Sequence, residues 1–259
     1  MPFVLSQVNG FVGTVTMNHP EKRNALSEQL VEEIIAAFED YKARNVRVVV
    51  LRALPGSRVW SAGHNVDELP EVRRDPLGWD DPLRNVIRQI ENFPGPVIAM
   101  IEGTVWGGAS ETAFACDLIV AVPDTTFAVT PAKLGVPYNV SGMMTFLNAA
   151  SIRIVKELAF TARPMSAERA ERLGIINHVV SADELESFTY GLAEDIAALA
   201  PLSIAVMKEQ LRILAGARPM SPQGFERVQG LRRVVYDSED YEEGIRAFKE
   251  KRKPQFKGK

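Results

Sequence analysis

Two glycine-bearing segments, Ser61-Ala62-Gly63-His64-Asn65 and Val105-Trp106-Gly107-Gly108-Ala109-Ser110-Glu111, carry the clearest chemistry in this sequence. Each lies where an apolar run ends and a new element should begin. The first N–H groups of a helix have no acceptor within it, and glycine lets a ligand approach them closely. Two such turns brought together would offer paired backbone donors to an enolate or a tetrahedral oxyanion. Taken singly, neither turn is decisive. Gly107-Gly108 equally permits close helix packing, and Ala62-Gly63 can be a plain strand-to-helix corner. Their joint occurrence, each after an apolar strand, favours an anion site.

Side chains add less. Cys116 is the one cysteine, which excludes an intrachain disulfide and a zinc cluster built on paired cysteines; no metal is expected. Its apolar surroundings mark a buried structural thiol rather than a nucleophile. His19 and His178 stand in no motif. Lys22-Arg23 and the run from Lys249 to Lys253 are candidate phosphate contacts, although a charged run on a terminal helix is commonly a solvated face that suits the macrodipole. A formal charge of -3 over 259 residues gives no general pull toward nucleic acid or an anionic membrane. With 46% hydrophobic and 24% charged residues the composition is that of a soluble globular protein. The N-terminus lacks the pattern of a signal peptide, and no apolar run approaches the roughly 20 residues that span a bilayer. The expectation is a soluble, cytoplasmic protein.

The elements that must hold these turns follow from periodicity. Phe3 to Val8 and Phe11 to Met17 read as a hairpin around Asn9-Gly10. Ser27 should cap a helix with Leu30, Ile34, Phe38 and Tyr41 inward. Val46 to Leu54 is a strand apolar enough to be buried on both faces, and it runs toward the first glycine turn. Asp67 to Asp80 is polar and proline-bearing, the pattern of a mobile surface segment. Asp81-Pro82 should open a helix with Leu83, Val86, Ile87 and Ile90 inward, ending before Pro94-Gly95-Pro96. Val97 to Ile101 is a strand leading directly to Trp106-Gly107-Gly108, followed by a short helix to Ala115 and a strand from Leu118 to Val122. Strand, helix and strand in repetition imply an α/β sheet with crossovers. From Ser151 helices dominate: one from a capping box at Ser181 to Glu184, one over Pro201 to Ala215, and two starting at Ser221-Pro222 and Ser238. The shift in composition near residue 150 implies a core with a helical appendage, the boundary lying between Gly142 and Pro201. We divide the chain into 1–195 and 196–259.

Arg23-Asn24-Ala25-Leu26, the two glycine segments, Gly103-Thr104 and Leu134-Gly135-Val136-Pro137 occur in the order seen in the crotonase (enoyl-CoA hydratase/isomerase) superfamily, which the chain resembles over nearly its whole length. The resemblance implies a crotonase-like α/β spiral of ββα units and a helical C-terminal trimerisation region, assembling as a homo-oligomer, a trimer or a dimer of trimers. It implies an acyl-CoA substrate, no further cofactor, and no nucleic-acid or membrane partner. The oxyanion donors would be the N–H groups of His64 and Gly108. Ala62, Gly63, Asn65 and Val66 would border the CoA, with Lys22, Arg23 and Lys251 on its phosphates, Lys251 reaching a neighbouring subunit.

One departure matters. Hydratases of the superfamily use two glutamates to handle water and proton. Glu111 matches the first, but Thr130-Pro131-Ala132-Lys133 has no carboxylate where the second belongs. Within the superfamily the chain is similar to members that decarboxylate methylmalonyl-CoA to propionyl-CoA, a reaction that reaches the thioester enolate without a base. That similarity implies that Tyr138, assisted by Thr130, orients the substrate carboxylate. It also implies a Glu111–Arg84 salt bridge that takes the acid out of play. For His64 the backbone N–H is the expected working part, because the motif fixes the turn rather than the ring; contact of the ring with the carboxylate, or help in protonating the enolate, is the secondary reading. The alternatives are an enoyl-CoA hydratase or isomerase working with Glu111 alone, and a catalytically inert acyl-CoA-binding protein.

Overall fold

In the computed structural model, which describes residues 1–70 and 74–259, the chain opens with an antiparallel hairpin of β1 (Val4–Asn9) and β2 (Val12–Met17). Asn9 pairs with Val12, so the loop is Gly10-Phe11, one residue later than expected, with Gly10 at φ 57°. Helix α1 (Glu28–Ala43) is capped by Ser27, whose hydroxyl accepts the Leu30 N–H, and it buries Leu30, Ile34, Phe38 and Tyr41.

A strand–strand–helix unit then recurs three times. The first is β3 (Val48–Ala53), β4 (Val59–Ser61) and α2 (Pro82–Asn92). The second is β5 (Val97–Ile101), β6 (Thr104–Trp106) and α3 (Gly108–Ala115). The third is β7 (Leu118–Ala121), β8 (Thr126–Ala128) and α4 (Val140–Ala149). Helix α5 (Ile152–Thr161), β9 (Met165–Ser166), α6 (Ala167–Arg172) and β10 (His178–Val179) complete the core. The first strand of each unit enters a six-stranded sheet of order β1-β2-β3-β5-β7-β10; the second enters a four-stranded sheet of order β4-β6-β8-β9. Neighbouring first strands are parallel, so each connection must cross over, and the second strand and helix supply the crossover. This is the spiral of ββα units. The short second sheet went unread in the sequence, and β6 stands between β5 and the Gly107 turn where a direct passage was expected.

The core explains the apolar strands. Val49 and Leu51 of β3 face a cluster shared with α1, α2 and α3, while Val48 and Val50 face the opposite side. There α7 (Ala182–Ala197) covers them with Leu185, Ala193 and Ala197. Each valine or leucine side chain fully removed from water contributes roughly 1.5–3 kcal/mol. Ser181 departs from a capping box, because its hydroxyl donates to Glu184 Oε2 at 2.6 Å and accepts no backbone N–H. Helices α8 (Pro201–Gly216), α9 (Pro222–Tyr236) and α10 (Glu239–Lys249) end the chain. Among the described residues no single helix is long and apolar enough to cross a membrane.

The segment expected to be mobile, Asp67 to Asp80, needs correction. Residues 71–73 lie outside the described residues. On either side of them the chain is docked: before them the Pro70 carbonyl accepts from the Tyr241 hydroxyl at 2.8 Å, and after them Leu77 is buried, its carbonyl accepts from Asn139 Nδ2 at 3.0 Å, and Asp75 is paired with Arg232 of α9. Polarity misled because those polar groups pair within the protein.

Candidate active site

The site is built where β4 and β6 end side by side. Ser61 closes β4; its hydroxyl donates to the Asn24 carbonyl at 2.7 Å and accepts the Gly63 N–H at 3.2 Å. Asn24 Nδ2 in turn donates to the Trp60 carbonyl, and the Ala62 N–H donates to the Arg23 carbonyl. The Arg23-Asn24-Ala25-Leu26 motif thus clamps the first glycine turn. Leu26 N–H donates to the Gly63 carbonyl at 2.8 Å, fixing the plane of the peptide that carries the His64 N–H. Gly63 has φ 86°, and a Cβ there would lie 2.3 Å from the Trp106 carbonyl oxygen and 2.8 Å from the Gly108 nitrogen. No side chain fits between the two turns.

The second turn is equally constrained. Gly107, at φ 58°, donates its N–H to the Ala128 carbonyl at 2.7 Å. Gly108 is the first residue of α3, so its N–H has no acceptor within the helix and lies at the positive end of the helix dipole. A Cβ on Gly108 would stand 3.3 Å from the His64 nitrogen, so the two amides lie side by side at one spot.

A cleft of about 770 Å³ opens over this spot. Its wall includes Ala62, His64, Asn65 and Val66 from the first turn, Gly108 from the second, and Thr130 and Tyr138; Lys22, Arg23 and Lys251 also line it. Gly63, Arg84 and Glu111 sit behind that wall rather than on it. Lys251 lines the cleft of its own chain. The reason is the docking of α10 on the Pro131–Leu134 turn, where a Cβ on Gly244 would lie 2.2 Å from the Leu134 carbonyl oxygen. Lys22 is paired with Asp67 at 3.7 Å, both side chains exposed.

The His64 ring is held at both nitrogens. Nε2 lies 2.6 Å from Asp81 Oδ2 and Nδ1 lies 3.0 Å from the Asn65 carbonyl oxygen. Both ring nitrogens therefore have partners within the chain. Burial lowers the ring's pKa, but the hydrogen bond and charge of Asp81, the Asn65 carbonyl and Glu68 outweigh it, leaving it above its ordinary value.

Glu111 of α3 is fully buried and takes a hydrogen bond and salt bridge at Oε1 from Arg84 Nη1 of α2. Burial pushes its carboxyl upward while Arg84 pulls it down. Among the described residues its other oxygen, Oε2, and the Tyr138 hydroxyl are both buried without a hydrogen-bond partner of good geometry, although each is close enough to shift the other's ionisation. Burial and then the Glu111 charge push the Tyr138 hydroxyl well above its ordinary pKa, so it is a donor throughout the neutral range. Its ring stands edge-on to Phe146 at 5.4 Å. Thr130 precedes the Pro131–Leu134 turn, with Oγ1 3.0 Å from where a Cβ on Gly107 would be. Cys116 is buried, its Sγ donating to the Thr112 carbonyl, and burial pushes its thiol pKa upward.

Some residues at or behind the wall were given no part in the site from sequence. Asp81 was read only as a helix cap, and it does accept the Leu83 N–H at 2.9 Å, but its other oxygen holds His64. Trp106 brings a buried indole Nε1–H without a partner among the described residues, and the Lys133 ammonium lies 5.6 Å from the Trp106 ring centroid. Nothing in the spacing of Asp81 or Lys133 marks them.

With this geometry in hand, the comparisons are specific. The sequence profile of the enoyl-CoA hydratase/isomerase family matches residues 7–259. The chain is 51% identical over 247 residues to the methylmalonyl-CoA decarboxylase of Escherichia coli (strain K12), spanning 95% of each. It superposes with a TM-score of 0.97 and 49% identity on a methylmalonyl-CoA decarboxylase in complex with 2-nitronate-propionyl-CoA, covering 99% of both chains. A second such structure, complexed with 2S-carboxypropyl-CoA, gives the same TM-score of 0.97 over 99% of this chain and 98% of the other. The paired glycine turns, the ββα spiral and these matches agree: the chain belongs to the enoyl-CoA hydratase/isomerase family.

Proposed function

We propose that the protein decarboxylates methylmalonyl-CoA to propionyl-CoA and carbon dioxide. The observation that carries this reading is the convergence of the His64 and Gly108 amides beside a glutamate bound by Arg84. In the reaction the bond between C2 and the carboxylate breaks, its electron pair becomes the enolate double bond, and negative charge collects on the thioester oxygen. The two amides stabilise that charge where it develops; one such donor is worth roughly 3–4 kcal/mol. Carbon dioxide leaves, and C2 of the enolate then takes a proton. No base is needed to form the enolate, which accords with Glu111 being held by Arg84 and with Thr130-Pro131-Ala132-Lys133 lacking a carboxylate.

Scission also requires the carboxylate perpendicular to the thioester plane, so that the breaking bond overlaps the carbonyl π system. The buried Tyr138 hydroxyl, assisted by Thr130, serves as donor to the carboxylate in that pose. Ala62 and Val66 border the CoA through backbone atoms, Gly63 and Asn65 shape the same turn, and Lys22, Arg23 and Lys251 meet its phosphates. The thioester itself is the electron sink, so the chemistry asks for no cofactor beyond the substrate's CoA. The 51% identity to the Escherichia coli decarboxylase supports the substrate assignment.

The test is to mix the protein with methylmalonyl-CoA and follow thioesters by mass spectrometry, with Tyr138→Phe alongside. Propionyl-CoA forms with the wild type, and the variant loses about a hundredfold in kcat. Intact methylmalonyl-CoA after prolonged incubation would remove the reading.

A further inference from the structure

The two partners of the His64 ring have a consequence for the reaction. A neutral imidazole carries one donor and one acceptor nitrogen, whereas an imidazolium carries two donors. Here both facing groups are acceptors, the Asn65 carbonyl at Nδ1 and the Asp81 carboxylate at Nε2. The second Asp81 oxygen accepts the Leu83 N–H at the start of α2, so the carboxylate has no free oxygen to turn toward the ring as a donor. The proton of the pair therefore resides on the ring. We propose that Asp81 is a positioning residue that keeps the His64 side chain as a doubly protonated imidazolium beside the oxyanion turn.

This rests on the decarboxylase reading for its catalytic consequence. The thioester oxygen gains charge at the His64 N–H, within one residue of a fixed positive charge on the same side chain. With both nitrogens engaged, the ring acts through that charge and through anchoring the turn, and it does not deliver the proton to C2. Other charged groups around the pair are Glu68, which adds to the positive bias, the exposed Lys22–Asp67 pair, and the Arg84–Glu111 pair. Asp81 also bears on Glu111 and Tyr138. None of these supplies a ring nitrogen with a donor in place of the two acceptors.

Asp81→Asn isolates the charge from the structure. Asparagine is as good a helix cap as aspartate, and its amide N–H can face the Nε2 of a neutral ring whose Nδ1–H still donates to Asn65. The chain has three histidines, so the ring nitrogens of His64 are assignable in a long-range proton–nitrogen-15 spectrum. In the wild type at pH 7 both His64 nitrogens are expected to be protonated; in Asp81→Asn at pH 8 one is not. The variant should lose about tenfold in kcat at pH 8 with little change in KM, and the loss should persist at pH 6, because burial disfavours the charged ring once Asp81 no longer opposes it. The wild type should hold its rate over the same range. An unprotonated His64 nitrogen in the wild type at pH 7 overturns the proposal, and so does a variant with the wild-type rate at every pH. If the wild type leaves methylmalonyl-CoA intact, the decarboxylase reading falls, while the nitrogen spectrum still decides what Asp81 does to the ring.

Discussion

Arg84 and Glu111 show how one residue changes the chemistry open to a site. A carboxylate on α3 beside the oxyanion turn is positioned for proton transfer, and the guanidinium of α2 binds it instead. With Glu111 fully buried and Arg84 nearly so, removing the cation leaves a desolvated acid, which costs about 3–5 kcal/mol. Arg84→Met should therefore be strongly destabilised, and the deficit should depend on pH. Without Arg84 the folded-state pKa of Glu111 rises further above its unfolded value, so the acid is protonated in both states at low pH and the deficit is small. As pH rises past the unfolded value of about 4.3, the unfolded chain ionises first and folded stability falls. Denaturation of Arg84→Met at pH 5 and pH 8 checks this, the larger loss falling at pH 8. Arg84→Met combined with Glu111→Gln should recover most of the loss, since no buried charge remains.

At the scale of elements, α4 seats the catalytic tyrosine of the proposed reaction. Asn139 caps this helix through the Gly142 N–H at 2.8 Å and ties it to the Leu77 carbonyl, and the Tyr138 ring lies across the first turn. A Cβ on Gly142 would lie 2.6 Å from that ring, too close to coexist with it. Gly142→Ala should raise helix propensity by roughly 0.5–1 kcal/mol yet push the Tyr138 ring aside. The expected outcome is little change in melting temperature, a fall of about tenfold or more in kcat, and a KM close to wild type. A kcat within about twofold of wild type would mean that the α4 contact does not set the ring's position.

For the whole molecule, the C-terminal helices present two kinds of surface. Lys208 of α8 ties that helix to the core, donating to the carbonyls of Ile90 and Gly95 at 3.0 Å and to Asp117 at 2.7 Å. Elsewhere α8 exposes Leu202, Val206, Leu211 and Leu214, and α9 exposes Leu231 and Val234. Exposed apolar residues in such number mark an interaction surface. We expect it to join copies of this chain, and light scattering should give the mass of three or six chains. Leu211→Glu with Leu214→Glu should lower that mass while leaving the far-ultraviolet circular dichroism unchanged. A monomeric wild type at micromolar concentration would remove the expectation.

Residue types carried much of this structure. Ser27 before Glu28, Asp81 before Pro82, and the wholly apolar Val48-Val49-Val50-Leu51 each state a local preference that no distant contact overturns. The glycine turns were legible for a similar reason, since few residues can adopt their backbone or tolerate so close an approach. What tertiary structure decided is how separate local statements meet. Asp81 reads as a cap because the hydrogen bond to Leu83 is local, whereas its hold on His64 crosses 17 residues and depends on α2 packing beside the turn. The short strands β4, β6 and β8 have too few residues to declare a period, so the second sheet exists only through its pairings. The polar stretch before α2 looked loose because polarity records what a residue can bind, not whether Arg232 or Asn139 will be there to bind it.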